Sequence, residues 1–338
     1  MVDIDTVARG PSVMLEIRPM KTFLAIVLLA LAAPLGSAQT WPAKPVKIIV
    51  PFAPGGSADT LGRLVGQRLS GSLKQSFVVE NRPGAGGVLG SELAAKAPPD
   101  AYTLVVSGIA SHVIAPLLPQ GTPYDPLRDF THIALFGGPP AVFAVNPSVP
   151  AKDLKEFVSL ARGKPGTLSY GSPGNGTQGQ LVAELFKQLA GIDLLHVPYK
   201  GASAALTDLM AGQITAVSTT LSTAAGQIRA GRARALAISA AQRLPDYADV
   251  PTFAEMGYPE LVATVWFSLS GPAGLPPEVV SRLNEEVRRA LELPETRERV
   301  KHDGILPNRL DAKEFTAFVS DELRRWGPIV RASGAKND

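Results

Sequence analysis

The chain has no cysteine and only four histidines in 338 residues. The first absence removes disulfides, thiolate zinc sites and thiol redox chemistry. His112, His132, His196 and His302 stand too far apart in sequence to show a metal-ligand spacing, so no metal site is expected. Charge is sparse: 33 basic residues face 30 acidic ones, for a net +3 without a basic run. That balance argues against nucleic acid as a partner. No Gly-x-Ser-x-Gly elbow occurs, since Gly55-Gly56-Ser57-Ala58-Asp59 ends in aspartate. No Gly-Lys-Ser/Thr phosphate loop occurs either, and no acid–base pair stands out. What is present is an ordinary globular composition, 45% apolar, in a chain long enough for two cored domains.

Long apolar runs are also missing, apart from one near the start. Lys21 precedes the run Thr22–Ala33, and small residues follow as far as Ala38. A basic residue, a short apolar stretch and a small-residue cleavage site make an export signal, too short for a comfortable membrane span. Cleavage is expected near Ala38, with residues 1–38 removed and Met1 or Met20 as the start. The removed part holds three basic and three acidic residues, so the mature charge stays +3.

The mature chain is organised around Ile48–Val65. Ile48, Ile49 and Val50 suit a buried parallel strand. Gly55-Gly56 permits a sharp turn without side chains in a ligand's way. Leu61, Leu64, Val65 and Leu69 then fall on one helical face. Ser57 and Asp59 are both fitted to that helix start. The result is a row of free N–H groups at a positive helix end, an anion site in waiting.

The pattern returns in the second half. The strand Thr167–Tyr170 leads into the glycine-rich turn Gly171–Gly179 and a helix with Leu181, Val182, Leu185, Phe186 and Leu189 on one face. Thr177 with Gln180 has capping-box spacing. Two such turns, face to face, would hold one anion from both sides. A third glycine cluster, Gly84, Gly86 and Gly90, fails the dinucleotide fingerprint because Leu89 occupies the third glycine position; it reads as a plain β-to-α turn. Elsewhere strands and helices alternate, which implies α/β architecture with parallel sheets covered on both faces. Leu261–Leu269 reads as a return crossover. The stripe Val279, Val280, Leu283, Val287, Leu291 gives a late amphipathic helix.

Several separated motifs together resemble the Bug-type extracytoplasmic solute receptors of tripartite tricarboxylate transporters. They are Trp41-Pro42 with Val50–Asp59; Glu80–Gly87; Gly174–Thr177; His196–Gly201; and Val250-Pro251-Thr252 with Glu255 and Gly257. The resemblance runs from Trp41 to about Trp326. It implies a two-lobed periplasmic-binding-protein-like fold (type II), with parallel-sheet lobes joined by crossover strands at Ala141–Asn146 and about Val262–Ser268. The lobes would be 41–141 plus 265–338, and 142–264. Two departures stand out: Ala101 replaces the glycine of a Pro-Asp-Gly-Tyr turn, and Thr215 and Ser218 replace an aspartate and a phenylalanine common after Gly212-Gln213-Ile214.

The resemblance implies an exported, periplasmic, monomeric receptor without catalytic residues or cofactor, closing over a small carboxylate for a membrane permease. The expected ligand-binding residues are Phe52, Ala53, Gly55, Gly56, Ser57 and Asp59 in the first turn. In the second they are Ser172, Asn175, Gly176, Thr177 and Gln178, with Thr219 from a neighbouring strand. Asp59 either meets a ligand ammonium or only answers the helix dipole, a role worth under about 1 kcal/mol that needs no ligand. Ser57 and Thr177 can be caps, ligand donors or both. Trp266 can close over ligand or pack, and Lys200 is expected to face solvent. Two rivals share these features: a secreted α/β hydrolase, which lacks its nucleophile here, and a ligand sensor for a membrane signalling partner.

Overall fold

Among the residues that the computed structural model describes (41–302, 305 and 310–333), ten strands form two five-stranded sheets. The expected signal segment lies outside the described residues. Residues 42–338 make one compact unit. The first sheet has the order β2-β1-β3-β10-β4 and the second β7-β6-β8-β5-β9. In the first sheet, β1 (Val46–Val50), β2 (Phe77–Asn81), β3 (Thr103–Gly108) and β4 (Phe130–Gly137) run one way. In the second, β6 (Ser169–Ser172), β7 (Leu195–Pro198), β8 (Ala216–Thr220) and β9 (Arg234–Ile238) do the same.

Each sheet also holds one antiparallel strand, which corrects the expectation of purely parallel lobes. These are β5 (Ala141–Val145), between β8 and β9, and β10 (Phe267–Pro272), between β3 and β4. The reason is directional. The chain leaves either sheet at the carboxyl edge of its parallel strands and enters the other sheet at the corresponding edge. The first strand after each crossing must therefore run backwards. The passage out is Gly138-Pro139-Pro140, so Ala141–Val145, expected within a crossover, is a full strand of the second sheet. The return passage ends at Trp266, where β10 begins.

The two passages touch. Val265 N donates to Pro139 O at 3.0 Å, and Ile109 N donates to Trp266 O at 3.3 Å. A Cβ on Gly138 would sit 1.6 Å from Val265 O, so only glycine fits there. Trp266 packs: its indole N–H donates to buried Glu322 at 2.9 Å, as does that of Trp326 at 3.1 Å. Both Glu322 and Trp326 lie on the last helix of the chain.

Helices cover both sheets as the periodicity implies. On α1 (Ser57–Leu73), Leu61, Leu64, Val65 and Leu69 are buried. Gly62 brings this helix close to the sheet, where a Cβ would lie 2.9 Å from Val106. After β2 come a short 3-10 turn, Ala85–Gly87, and α2 (Val88–Ala95). The second sheet carries α3 (Leu154–Gly163), α4 (Gln178–Ala190), α5 (Ala202–Met210) and α6 (Leu221–Arg229). One face packs Phe143, Phe157, Phe186 and Phe253, and the other packs Val142, Leu206, Leu209 and Leu221. The stripe on α7 (Pro277–Glu292) is buried as the spacing predicts. Helices α8 (Pro294–His302) and α9 (Ala312–Ser333) follow. Ala101 has φ +61°, the left-handed conformation that the missing glycine of its turn would adopt without strain.

Under the first sheet lie two buried imidazoles, His112 and His132, with ring centroids 5.8 Å apart. His132 bonds Ser270 Oγ at 3.2 Å and Pro126 O at 3.0 Å. Burial lowers His132 to about 4, and burial together with the neighbouring imidazole holds His112 well below its ordinary value. An unfolded histidine near 6.5 therefore takes up a proton that the folded protein refuses. Stability should be intact above that pH and fall as pH drops from 6.5 toward 4. Thermal melts across this window should show the slope, and His132→Asn should flatten it whatever it does to the melting temperature at pH 7.

Candidate functional site

Because both sheets present the carboxyl ends of their parallel strands to the same cleft, the strand-to-helix turns meet there, as ligand sites of open α/β sheets do. The cleft encloses about 590 Å³ of empty space, including that open to solvent. Of the expected residues, Phe52, Ala53, Gly56, Ser57, Thr177 and Gln178 line it. The N-termini of α1 and α4 both reach it, and the first-turn N–H groups of a helix have no acceptor within the helix.

The first turn is braced from beneath by Asp59. Its carboxylate accepts from Gly55 N at 3.0 Å, Arg63 Nε at 3.1 Å and Asn81 Nδ2 at 2.9 Å. Asn81 Nδ2 also donates to Phe52 O at 2.9 Å. Burial pushes the Asp59 carboxyl up, but the hydrogen bonds from Arg63, Gly55 and Asn81 outweigh it and hold the group below its usual value. Asp59 thus remains an anion whose donors belong to the protein, and it does not line the cavity. Gly55, with φ +85°, also faces away, toward a smaller recess beside Ser222 and Thr223.

The second turn is held in a similar way. Thr177 caps α4, donating to Gly174 O at 2.6 Å and accepting from Gln180 N at 3.4 Å. Gln180 Oε1 reaches back to Gly176 N at 2.8 Å, and Gln180 Nε2 donates to Asn175 Oδ1 at 3.2 Å. Ser172 Oγ turns to His196 Nε2 at 2.7 Å. Ser172, Asn175 and Gly176 therefore shape the turn without lining this cavity; Asn175 lines a neighbouring recess. Thr219 lies on strand β8 beside Thr220, which does line it; alternation sends the two side chains to opposite faces.

Among the expected residues that line the cavity, Gln178 stands apart. It lines the cavity and is 2% exposed, yet neither its Nε2 nor its Oε1 has a hydrogen-bond partner. A buried polar group without a partner is costly.

The two halves are closed on each other. Ser57 Oγ bonds Thr220 Oγ1 at 2.6 Å, Ser222 Oγ at 2.5 Å and Thr223 Oγ1 at 2.8 Å. Ser57 N donates to Thr223 Oγ1 at 3.1 Å. On the other side, Ala53 N donates to Lys200 O at 3.1 Å and Ser203 Oγ to Pro54 O at 2.8 Å. The Lys200 side chain is exposed, as expected; its carbonyl makes the closing contact. At a third point Gly86, with φ +62°, abuts Asn175 O, and a Cβ would come within 1.9 Å of it. The glycine turn at 84–87 is thus a lip of the cleft.

Sequence reading missed part of the remaining wall: Gly108, Ile109 and Ala110 at the end of β3, and Val265 and Phe267 on the return passage. The carboxyl-end rule could have found the β3 residues. Nothing local marks Val265 and Phe267. Ala110–Ile114 forms a π turn, a form that often occurs at ligand sites. No group of side chains able to hold a metal occurs among the described residues. No helix among them is long and apolar enough to cross a membrane.

Comparison with known proteins agrees with this geometry. A family model described as tripartite tricarboxylate transporter family receptor matches residues 61–335. Protein BugT of Bordetella pertussis is 36% identical over 312 residues, covering 92% of this chain and 95% of BugT. The structure of R. palustris Rpa4515 with adipate is 33% identical, with TM-score 0.84 over 88% of this chain and 99% of that one. MatC from Rhodopseudomonas palustris with bound malate is 33% identical, with TM-score 0.82 over 86% of this chain and all of that one, 100%.

Two substitutions test the closing contacts. Ser57→Ala removes the centre of the hydroxyl cluster and should cost the closed form about 0.5–1.5 kcal/mol. Labels on the two halves should then report a larger open fraction. Gly86→Ala should enlarge the radius of gyration in X-ray scattering while leaving the far-UV circular dichroism unchanged.

Proposed function

The chain belongs to the tripartite tricarboxylate transporter receptor family, and on that premise we propose that it is a periplasmic receptor that captures a small carboxylate for a membrane permease. The observation that carries the ligand class is the convergence of two helix N-termini and the unpartnered Gln178 amide on a cleft whose wall, among the described residues, has no charged side chain. Helix N-termini favour anions through their free N–H groups and aligned peptide dipoles. Relatives with adipate and malate place carboxylates in the same fold.

In this reading the first-sheet lobe is 41–141 plus 265–338 and the second-sheet lobe is 142–264, with Gly138–Pro140 and Val262–Trp266 as the hinge. Ligand bridges the two turns. Its contacts with Thr177, Gln178 and the α4 N-terminus exist only in the closed form, so binding shifts the population toward closure. The closed surface is what the permease reads. Phe52, Ala53, Gly56, Ser57, Thr177 and Gln178 carry the binding; Asp59, Ser172, Asn175 and Gly176 position the turns.

A thermal-shift screen of ligand-free mature protein against a carboxylate library tests the reading. Saturation at a hundredfold over Kd should add roughly 2.7 kcal/mol, several degrees of melting temperature. Thr177→Ala should weaken the hit by about fivefold or more, since loss of a cap costs about 1 kcal/mol. A blank across the library would overturn the proposal.

A further inference from the structure

The polar inventory of the cleft wall narrows the ligand. Ser57 is spent on the hydroxyl cluster, and Thr220 belongs to the same cluster. Thr177 is spent on the turn carbonyl of Gly174 and on Gln180 N. Gln178 remains, buried and with both amide atoms unpartnered. Around it the wall is apolar, with Phe52, Ile109, Val265 and Phe267. Among the described residues no cation lines this wall: Arg63 pairs with Asp59, and Lys200 lines a neighbouring recess with Asn175 and Tyr199. Asp59, the anion closest in sequence, is enclosed by its own donors.

We propose that the cleft takes a monocarboxylate with an apolar body and one neutral hydrogen-bonding group, and discriminates against a second charge of either sign. This rests on the carboxylate-capture reading above. One carboxylate is matched by first-turn N–H groups that the protein does not itself engage, those of Ala58 in α1 and of Gln178 and Gly179 in α4. Ser57 N is held by Thr223 and Gln180 N by Thr177. A second carboxylate would be stripped of water with no cation facing it. It would satisfy Gln178 Nε2 but set negative charge against Oε1, which needs a donor. A terminal ammonium would satisfy Oε1 and meet no carboxylate. A hydroxyl or an amide both donates and accepts, and so answers both Oε1 and Nε2 of the glutamine, which neither charged group does. The apolar wall then packs against the ligand body.

The test is calorimetric titration of the ligand-free mature protein with two matched series. The flexible one is hexanoate, 6-hydroxyhexanoate, 6-aminohexanoate and adipate. The rigid one is benzoate, 4-hydroxybenzoate, 4-(aminomethyl)benzoate and terephthalate, with malate added as a short diacid. In whichever series binds, the hydroxy acid should be tightest, about three- to tenfold over the plain acid. Both doubly charged members should fall at least about tenfold below it. In Gln178→Met the ratio of hydroxy to plain acid should move toward one. Adipate, terephthalate, malate or an amino acid binding as tightly as the hydroxy acid would overturn this inference and leave carboxylate capture standing. A hydroxyl preference that survives in Gln178→Met would overturn the role of Gln178. Failure of every acid in both series would overturn carboxylate capture and this inference together.

Discussion

The contact on which the rest depends is between two stretches of backbone. Gly138–Pro140 leaves the first sheet, the passage ending at Trp266 returns to it, and Val265 N bonds Pro139 O where they meet. Gly138 fits because a Cβ there would overlap Val265 O. This paired crossing fixes the strand directions, since each crossing strand must enter its new sheet against the flow. It places the carboxyl ends of both sheets at one cleft. It also makes Val265 and Phe267 part of the cleft wall. Strand direction and part of the cleft wall are therefore governed by the same few residues.

Around that hinge the polar groups divide by what they already hold. Asp59, Asn81 and Arg63 hold the first turn in shape, and Thr177, Gln180 and Asn175 hold the second. Ser57 with Thr220, Ser222 and Thr223 joins the halves. Such satisfied networks rigidify a site, since each lost bond leaves a buried group exposed to the full desolvation cost. The cleft wall of that frame keeps one unsatisfied amide, Gln178. In the proposed reading the two helix ends supply the attraction for charge, and Gln178 supplies the demand for a particular shape of hydrogen bond.

Much of the frame was legible before any coordinates. The stripe on α1 and that on α7 follow from helical period, because a buried face must repeat every three to four residues. The start of α4 was legible from Thr177 and Gln180 because capping is a local bond over three residues. The antiparallel strands were not legible, since strand direction depends on where the chain comes from and not on strand composition. The place of Asp59 was open for a similar reason. Its partner Asn81 sits on a different strand, 22 residues on.

The sequence by itself determined the repeated strand-turn-helix units, the two helix ends offered to an anion, and the lack of a lysine or arginine in both turns. These are local properties, set by residue type and spacing. Tertiary structure alone decided which donors are left for a ligand. Ser57 looked available in sequence and is occupied by Thr220, 163 residues away. Gln178 looked no different from its neighbours and, of the polar side chains on the cleft wall, is the one left without a partner. Hydrogen-bond satisfaction is settled by what the folded chain brings alongside, and no local pattern encodes it.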